Sequence, residues 1–231
     1  MGDLREMNGL LIRFQNIDTM PEITNDHAVW LSLKELERFD AITSSNRKKT
    51  WLAGRYLAKT MACDLLSETL LLDLELFSTN DNGQGISPYF VCRGQACPLQ
   101  FSISHTDREV AVAMSQRSQC LFGIDIVDLS CSGQGFGQIW SRWLTEKEQK
   151  QVPPADRREI ACRWALKEAA YKSMRHTQTG FSPLCFEVLR DETNSGLWQI
   201  RHNNQPFFHH EDITILESKD SLFALVCRRE P

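Results

Sequence analysis

Nothing in these 231 residues forms the run of roughly 20 apolar side chains that a bilayer-spanning helix needs, so no membrane partner is expected. The opening MGDLREMNGLLIRFQ carries acids where a secretory leader would carry a basic segment, and a cytoplasmic protein is the expectation. A cationic excess is missing as well. With 30 acids against 26 lysines and arginines and a net charge of −4, a general nucleic-acid binder with a broad basic face gets no support from the totals, which leave room only for local basic clusters. The eight cysteines include no CxxC pair, which removes the usual zinc and dithiol motifs; reduced, mostly packing thiols are expected rather than disulfides. No linker rich in Gly, Ser or charge divides the chain.

What is present is the composition of a globular protein, 42% hydrophobic and 24% charged, in a chain long enough for one large domain or two small ones. Helical spacing is clearest over 46–66, where Trp51, Leu52, Tyr56, Leu57, Met61 and Leu65 recur and Ser44, Ser45 and Asn46 offer N-caps. A shorter helix is expected near 33–39, with strands at 9–14, 70–77, 101–104 and 110–114 and a turn over 80–85. The second half echoes the first. An apolar strand over 121–129 and a Gly-rich loop lead to helices over 139–150 and 156–175, separated at Pro153-Pro154. Strands follow at 186–189, 197–201, 213–217 and 222–228. The expectation is an α+β fold of two similar halves, residues 1–118 and 119–231, each a helix packed on a mostly antiparallel sheet.

Three segments could carry chemistry. In Trp164-Ala-Leu-Lys-Glu-Ala-Ala-Tyr-Lys172, helical spacing lines up Trp164, Glu168, Tyr171, Lys172 and Arg175, either as a functional face or as an ordinary Glu-to-Lys surface pair. Asp125 interrupts an apolar strand, where a lone acid is costly to bury and needs a cation, a metal or a hydrogen-bonded strand end; a salt bridge to an arginine would also serve. Ser104 and His105 fall where a strand runs into a loop, so hydroxyl, imidazole and backbone amides could converge on an anion, unless the histidine is simply structural.

FSISHTD, GIDIV and WALKEAAYK, in this order, resemble the (F/W)xxSHS, GxDIE and (W/F)xxKEAxxK motifs of the 4'-phosphopantetheinyl transferases. The likeness is to the surfactin-synthetase-activating subfamily, single chains of two similar halves with the active site at their interface. TWLAGRYLAK resembles that family's N-terminal AGRxLL helix, and LFSTNDNGQG stands in the place of its GKP loop.

The resemblance implies transfer of phosphopantetheine from coenzyme A to a serine of an apo acyl or peptidyl carrier protein, by a monomeric, Mg²⁺-dependent enzyme that releases adenosine 3',5'-bisphosphate. It implies Asp125 and Glu168 as Mg²⁺ ligands and Ser104 and His105 as contacts to coenzyme A phosphates. Lys172 would neutralise pyrophosphate charge, and Glu168 or a metal-bound water would take the serine proton. Arg47, Lys49, Gly83 and Gln84 are further coenzyme A candidates, Thr50 standing where some members have arginine. Lys167, adjacent to Glu168 but about 100° round the helix, joins the catalytic candidates. Two departures stand out: Val127 replaces a third carboxylate, with Asp128 on the opposite strand face, and Gln84 replaces the loop lysine. They leave open a non-catalytic relative that only binds coenzyme A or a carrier, besides a plain anion-binding α+β module. Arg157, Arg158 and Arg163 form either a carrier-docking patch or a solvated helix surface.

Overall fold

In the computed structural model the described residues are 4–20, 27–67, 69–79, 85–116, 120–130, 142–153, 156–174, 180–191 and 196–229. They fall into two compact units, Met1–Ser118 and Gln119–Pro231. The fold is α+β.

In the first unit, strands β1 (Leu4–Met7) and β2 (Leu10–Asn16) form a hairpin closed by Asn8-Gly9 at φ 53° and 79°. Both residues sit in the left-handed region that this two-residue turn requires, and Asn-Gly tolerates it. Helices α1 (Leu33–Asp40) and α2 (Ser45–Leu65) follow. Next come β3 (Leu74–Thr79), β4 (Gly85–Cys92), β5 (Gln95–Ala96), β6 (Gln100–His105) and β7 (Glu109–Ser115). Antiparallel pairing gives one sheet in the order β1-β2-β7-β6 and another in the order β3-β4-β5. Leu52, Leu57 and Met61 of α2 pack on Leu74, Leu76, Phe90, Phe101, Val110 and Val112 to form the core.

The second unit begins with β8 (Cys120–Asp128), then α3 (Glu146–Gln151) and α4 (Arg157–Ser173). The remaining strands are β9 (Phe186–Arg190), β10 (Trp198–His202), β11 (Gln205–Phe208), β12 (Ile213–Glu217) and β13 (Ser221–Arg229). Their sheets run β12-β13-β8 and β11-β10-β9, again antiparallel. Leu166, Ala169 and Ala170 of α4 bury against Val188, Ile200, Leu222, Ala224 and Val226.

Several elements differ from expectation. The strand expected over 70–77 starts only at Leu74, after a short 3-10 turn at Leu71–Asp73. Helix α3 starts at Glu146 because Thr145 is an extended N-cap (ψ 164°) whose hydroxyl accepts from Glu148 N; residues 139–141 of the expected helix lie outside the described residues. The expected turn at 80–84 and loop at 132–137 also lie outside them. Strands β1, β4, β5 and β11 were not anticipated. The seven described cysteines are free thiols; burial pushes that of Cys162 up to about 12.

Candidate active site

The site starts from a glycine. Gly123, in the middle of β8, faces α4 so closely that a Cβ there would lie 2.0 Å from Ala169 O and 2.8 Å from Ser173 N. Only glycine lets helix and strand approach so near. Two residues further along the same strand face is Asp125, 5% exposed and opposite Ala224 in the β13 register. The close approach brings Asp125 within 2.6 Å of Lys172 Nζ, which donates to Asp125 Oδ1. Glu168, one helical turn before Lys172, belongs to the same group. Burial pushes its carboxyl above the ordinary 4.5, the Lys172 ammonium pulls it down, and the Asp125 charge pushes it up again.

Two acids and one ammonium therefore meet on β8 and α4. Val127, next along the same face of β8, packs into the apolar core instead of adding a third acid. Asp128 is spent on a local turn, accepting from Ser130 N at 2.7 Å and Ser130 Oγ at 2.6 Å. Among the described residues no group of three or more His, Cys, Asp or Glu converges. The donor set still suits Mg²⁺, which takes one or two carboxylates and completes its shell with phosphate oxygens and water.

Residues 121–226 match the family model of the 4'-phosphopantetheinyl transferase superfamily. The matched stretch contains GIDIV and WALKEAAYK with Gly123, Asp125, Glu168 and Lys172, while FSISHTD and TWLAGRYLAK lie before it. None of the curated proteins matches. Among solved structures the chain is similar to a Thermotoga maritima holo-[acyl-carrier-protein] synthase at 22% identity, TM-score 0.36, covering 48% of this chain and 63% of that one.

The first unit assembles a second set of candidates. Ser44 caps α2 by accepting from Arg47 N at 3.3 Å, leaving Arg47 exposed on the first turn. Asn46 Nδ2 donates to Asp107 Oδ1 at 2.6 Å, tying that turn to the loop after β6. His105, exposed at the end of β6, and Arg47 thus belong to one end of the unit, with Ser104 buried beside His105. Lys49 is engaged with Asp18. Thr50 is buried and its hydroxyl donates to Arg47 O at 3.3 Å. Gly83, Gln84 and Arg175 lie outside the described residues.

Lys167 is not part of the acid group. It is 0% exposed and donates to Glu148 Oε2 at 2.6 Å, Trp143 O at 2.7 Å and Pro183 O at 3.0 Å. Those three bonds exhaust an ammonium's donors. Its expected catalytic role is corrected accordingly: the 100° step from Glu168 turns it into the protein interior. Arg163 is corrected as well, since it belongs neither to a docking patch nor to a solvated surface. It is fully buried, bonded to Val188 O, Gln151 Oε1 and Glu159 Oε1, with its guanidinium 5.2 Å from the Trp198 ring centre. Arg158 is exposed and paired with Glu217.

Sequence reasoning missed Glu148 and Gly123. Their signals were readable: Thr145 three residues before Glu148 is a capping-box pattern, and glycine amid strand-forming residues marks close backbone approach.

Proposed function

We propose that this chain is a Mg²⁺-dependent 4'-phosphopantetheinyl transferase of the surfactin-synthetase-activating type, acting on coenzyme A and a serine of an apo acyl or peptidyl carrier protein. The observation that carries the reading is the meeting of Asp125, Glu168 and Lys172 across the strand-helix contact that Gly123 permits.

The reaction forms a bond from the carrier serine oxygen to the β-phosphorus of coenzyme A and breaks that phosphorus's bond to the nucleotide. Asp125 and Glu168 would hold Mg²⁺, which when bound neutralises pyrophosphate charge. Glu168 has two oxygens, so it also suits acceptance of the serine proton. Lys172, one turn on, supplies a donor to the phosphate oxygens on which charge grows. Arg47 and His105, at one end of the first unit, fit contacts to coenzyme A phosphates, with Ser104, Lys49, Gly83 and Gln84 as the further candidates.

Incubated with Mg²⁺, coenzyme A and an apo carrier protein, the chain adds one phosphopantetheine mass to the carrier, and chelation stops the reaction. No mass shift with several carriers, alongside an active control enzyme, overturns the reading. Val127 favours one alternative, a relative that binds coenzyme A without transferring anything. That relative gives a calorimetric binding signal and no mass shift.

A further inference from the structure

The two units bury the same device. In the second, Glu148 lies three residues after its N-cap Thr145, accepts from Thr145 N at 2.7 Å and Val188 N at 3.0 Å, and meets Lys167 Nζ at 2.6 Å. In the first, Glu35 lies three residues after its N-cap Ser32, accepts from Ser32 N at 3.0 Å and Leu76 N at 3.1 Å, and meets Lys59 Nζ at 2.6 Å. Each lysine also donates to a tryptophan carbonyl, Trp143 O at 2.7 Å and Trp30 O at 2.8 Å. All four side chains are 0% exposed. The sequence carries the repeat as Trp30-Leu-Ser-Leu-Lys-Glu35 and Trp143-Leu-Thr-Glu-Lys-Glu148, with Arg55-Tyr-Leu-Ala-Lys59 and Arg163-Trp-Ala-Leu-Lys167.

The surroundings of the two lysines differ in a telling way. After Lys167 come Glu168 and, five residues on, Lys172 bonded to Asp125 of β8. After Lys59 come Thr60 and, five residues on, Asp64 bonded to Arg13 of β2 at 2.9 Å. The first unit thus keeps the clamp and the strand-helix ion pair, with the pair's charges exchanged and without a second acid.

We infer that Lys167 is a positioning residue: the Glu148–Lys167 clamp sets the rotation of α4 about its axis and thereby presents Glu168 and Lys172 to Asp125. This rests on the reading of Asp125 and Glu168 as the acids of the site. Gly123 sets how near α4 lies to β8, but nearness alone does not choose which side of the helix faces the strand. Pinning Lys167 inward at three oxygens does, because its neighbour Glu168 is then fixed 100° away. Lys59 serves the fold of the first unit in the same manner with no acid pair to orient. It is a matched control.

The test compares E148Q/K167M with E35Q/K59M, by melting temperature, Mn²⁺ affinity from electron paramagnetic resonance, and the KM and kcat of transfer. Both variants melt lower. Only E148Q/K167M loses Mn²⁺ affinity, about tenfold as for an outer-shell partner, with a rise in the coenzyme A KM. If kcat falls while Mn²⁺ affinity holds, Lys167 is a reacting group and the inference fails; equal Mn²⁺ losses in both variants make the clamp merely structural and also overturn it. Should D125N and E168Q bind Mn²⁺ as the wild type does, the acids are not the metal site. The coenzyme A KM then decides: a rise confined to E148Q/K167M supports the clamp, and an equal rise in both overturns it. If E148Q/K167M does not fold, K167R, which keeps the charge but moves the donors, gives the same readings.

Discussion

Lys172 in α4 donates to Asp125 in β8 across 2.6 Å. Lys172 is 26% exposed and Asp125 7% by side chain, so the pair sits at the edge of the unit rather than in its core. With Glu168 one turn away, the group holds one ammonium for two acids, and the ammonium occupies an oxygen that a divalent cation would need.

Replacing Lys172 therefore has two opposite effects. K172M removes the Lys172 donor from Asp125 Oδ1 and its positive charge from the two acids, and the protein binds Mg²⁺ more tightly without coenzyme A, as titration calorimetry reads directly. Transfer falls about 100-fold, the usual loss when one donor to a charge-developing oxygen is removed. Unchanged metal affinity in K172M would remove Asp125 from the ligand set.

Gly123→Ala tests the close approach. A methyl group 2.0 Å from Ala169 O must push α4 off β8. The expected cost is about 3 kcal/mol, the upper end for overpacking, read from urea unfolding, with a larger proportional loss of transfer than of stability. A variant as stable as the wild type contradicts the contact.

Glu168 gives stability a definite pH dependence. Its carboxyl titrates above the ordinary 4.5 in the folded chain, because burial and Asp125 outweigh Lys172. The folded state then holds the proton more tightly than the unfolded state, so this contribution is fully present below 4.5 and is lost as pH rises through the raised value. E168Q cannot ionise there, and without metal it outlasts the wild type in thermal unfolding at neutral pH, the gap closing near pH 4. The same variant abolishes transfer. An E168Q protein less stable than the wild type at neutral pH refutes the shift.

R47A and H105A address the first unit. Each raises the coenzyme A KM about tenfold, the loss of one charge-assisted phosphate contact, with a smaller change in kcat. N46A, which unties the α2 turn from Asp107, raises the same KM more weakly. A kcat loss without a KM change would place Arg47 and His105 in the reaction rather than in coenzyme binding.

The long helix α2 was legible because Trp51, Leu52, Tyr56, Leu57, Met61 and Leu65 recur at helical spacing, and the strands β6, β7, β8, β9, β10, β12 and β13 because apolar runs end at polar turns. The edges were less so. Strands β1, β5 and β11, of four, two and four residues, are too short to show a period. Their turns are set by residues with positive φ, at Asn8-Gly9, Arg93-Gly94 and Asn203-Asn204, of which only the first is a strong hairpin signal.

Residue order alone was enough to single out an aspartate inside an apolar strand and a glutamate and lysine four apart on a helix. Those spacings are local, and a strand or helix turns them into shared faces with no help from the rest of the chain. The choice between neighbours of like charge came from packing. Lys167 and Lys172 both read as cations beside Glu168, yet one is sealed against Glu148 and the other reaches Asp125. That difference depends on which elements cover each side of α4, and contacts 19 and 47 residues apart in the chain leave no local signature.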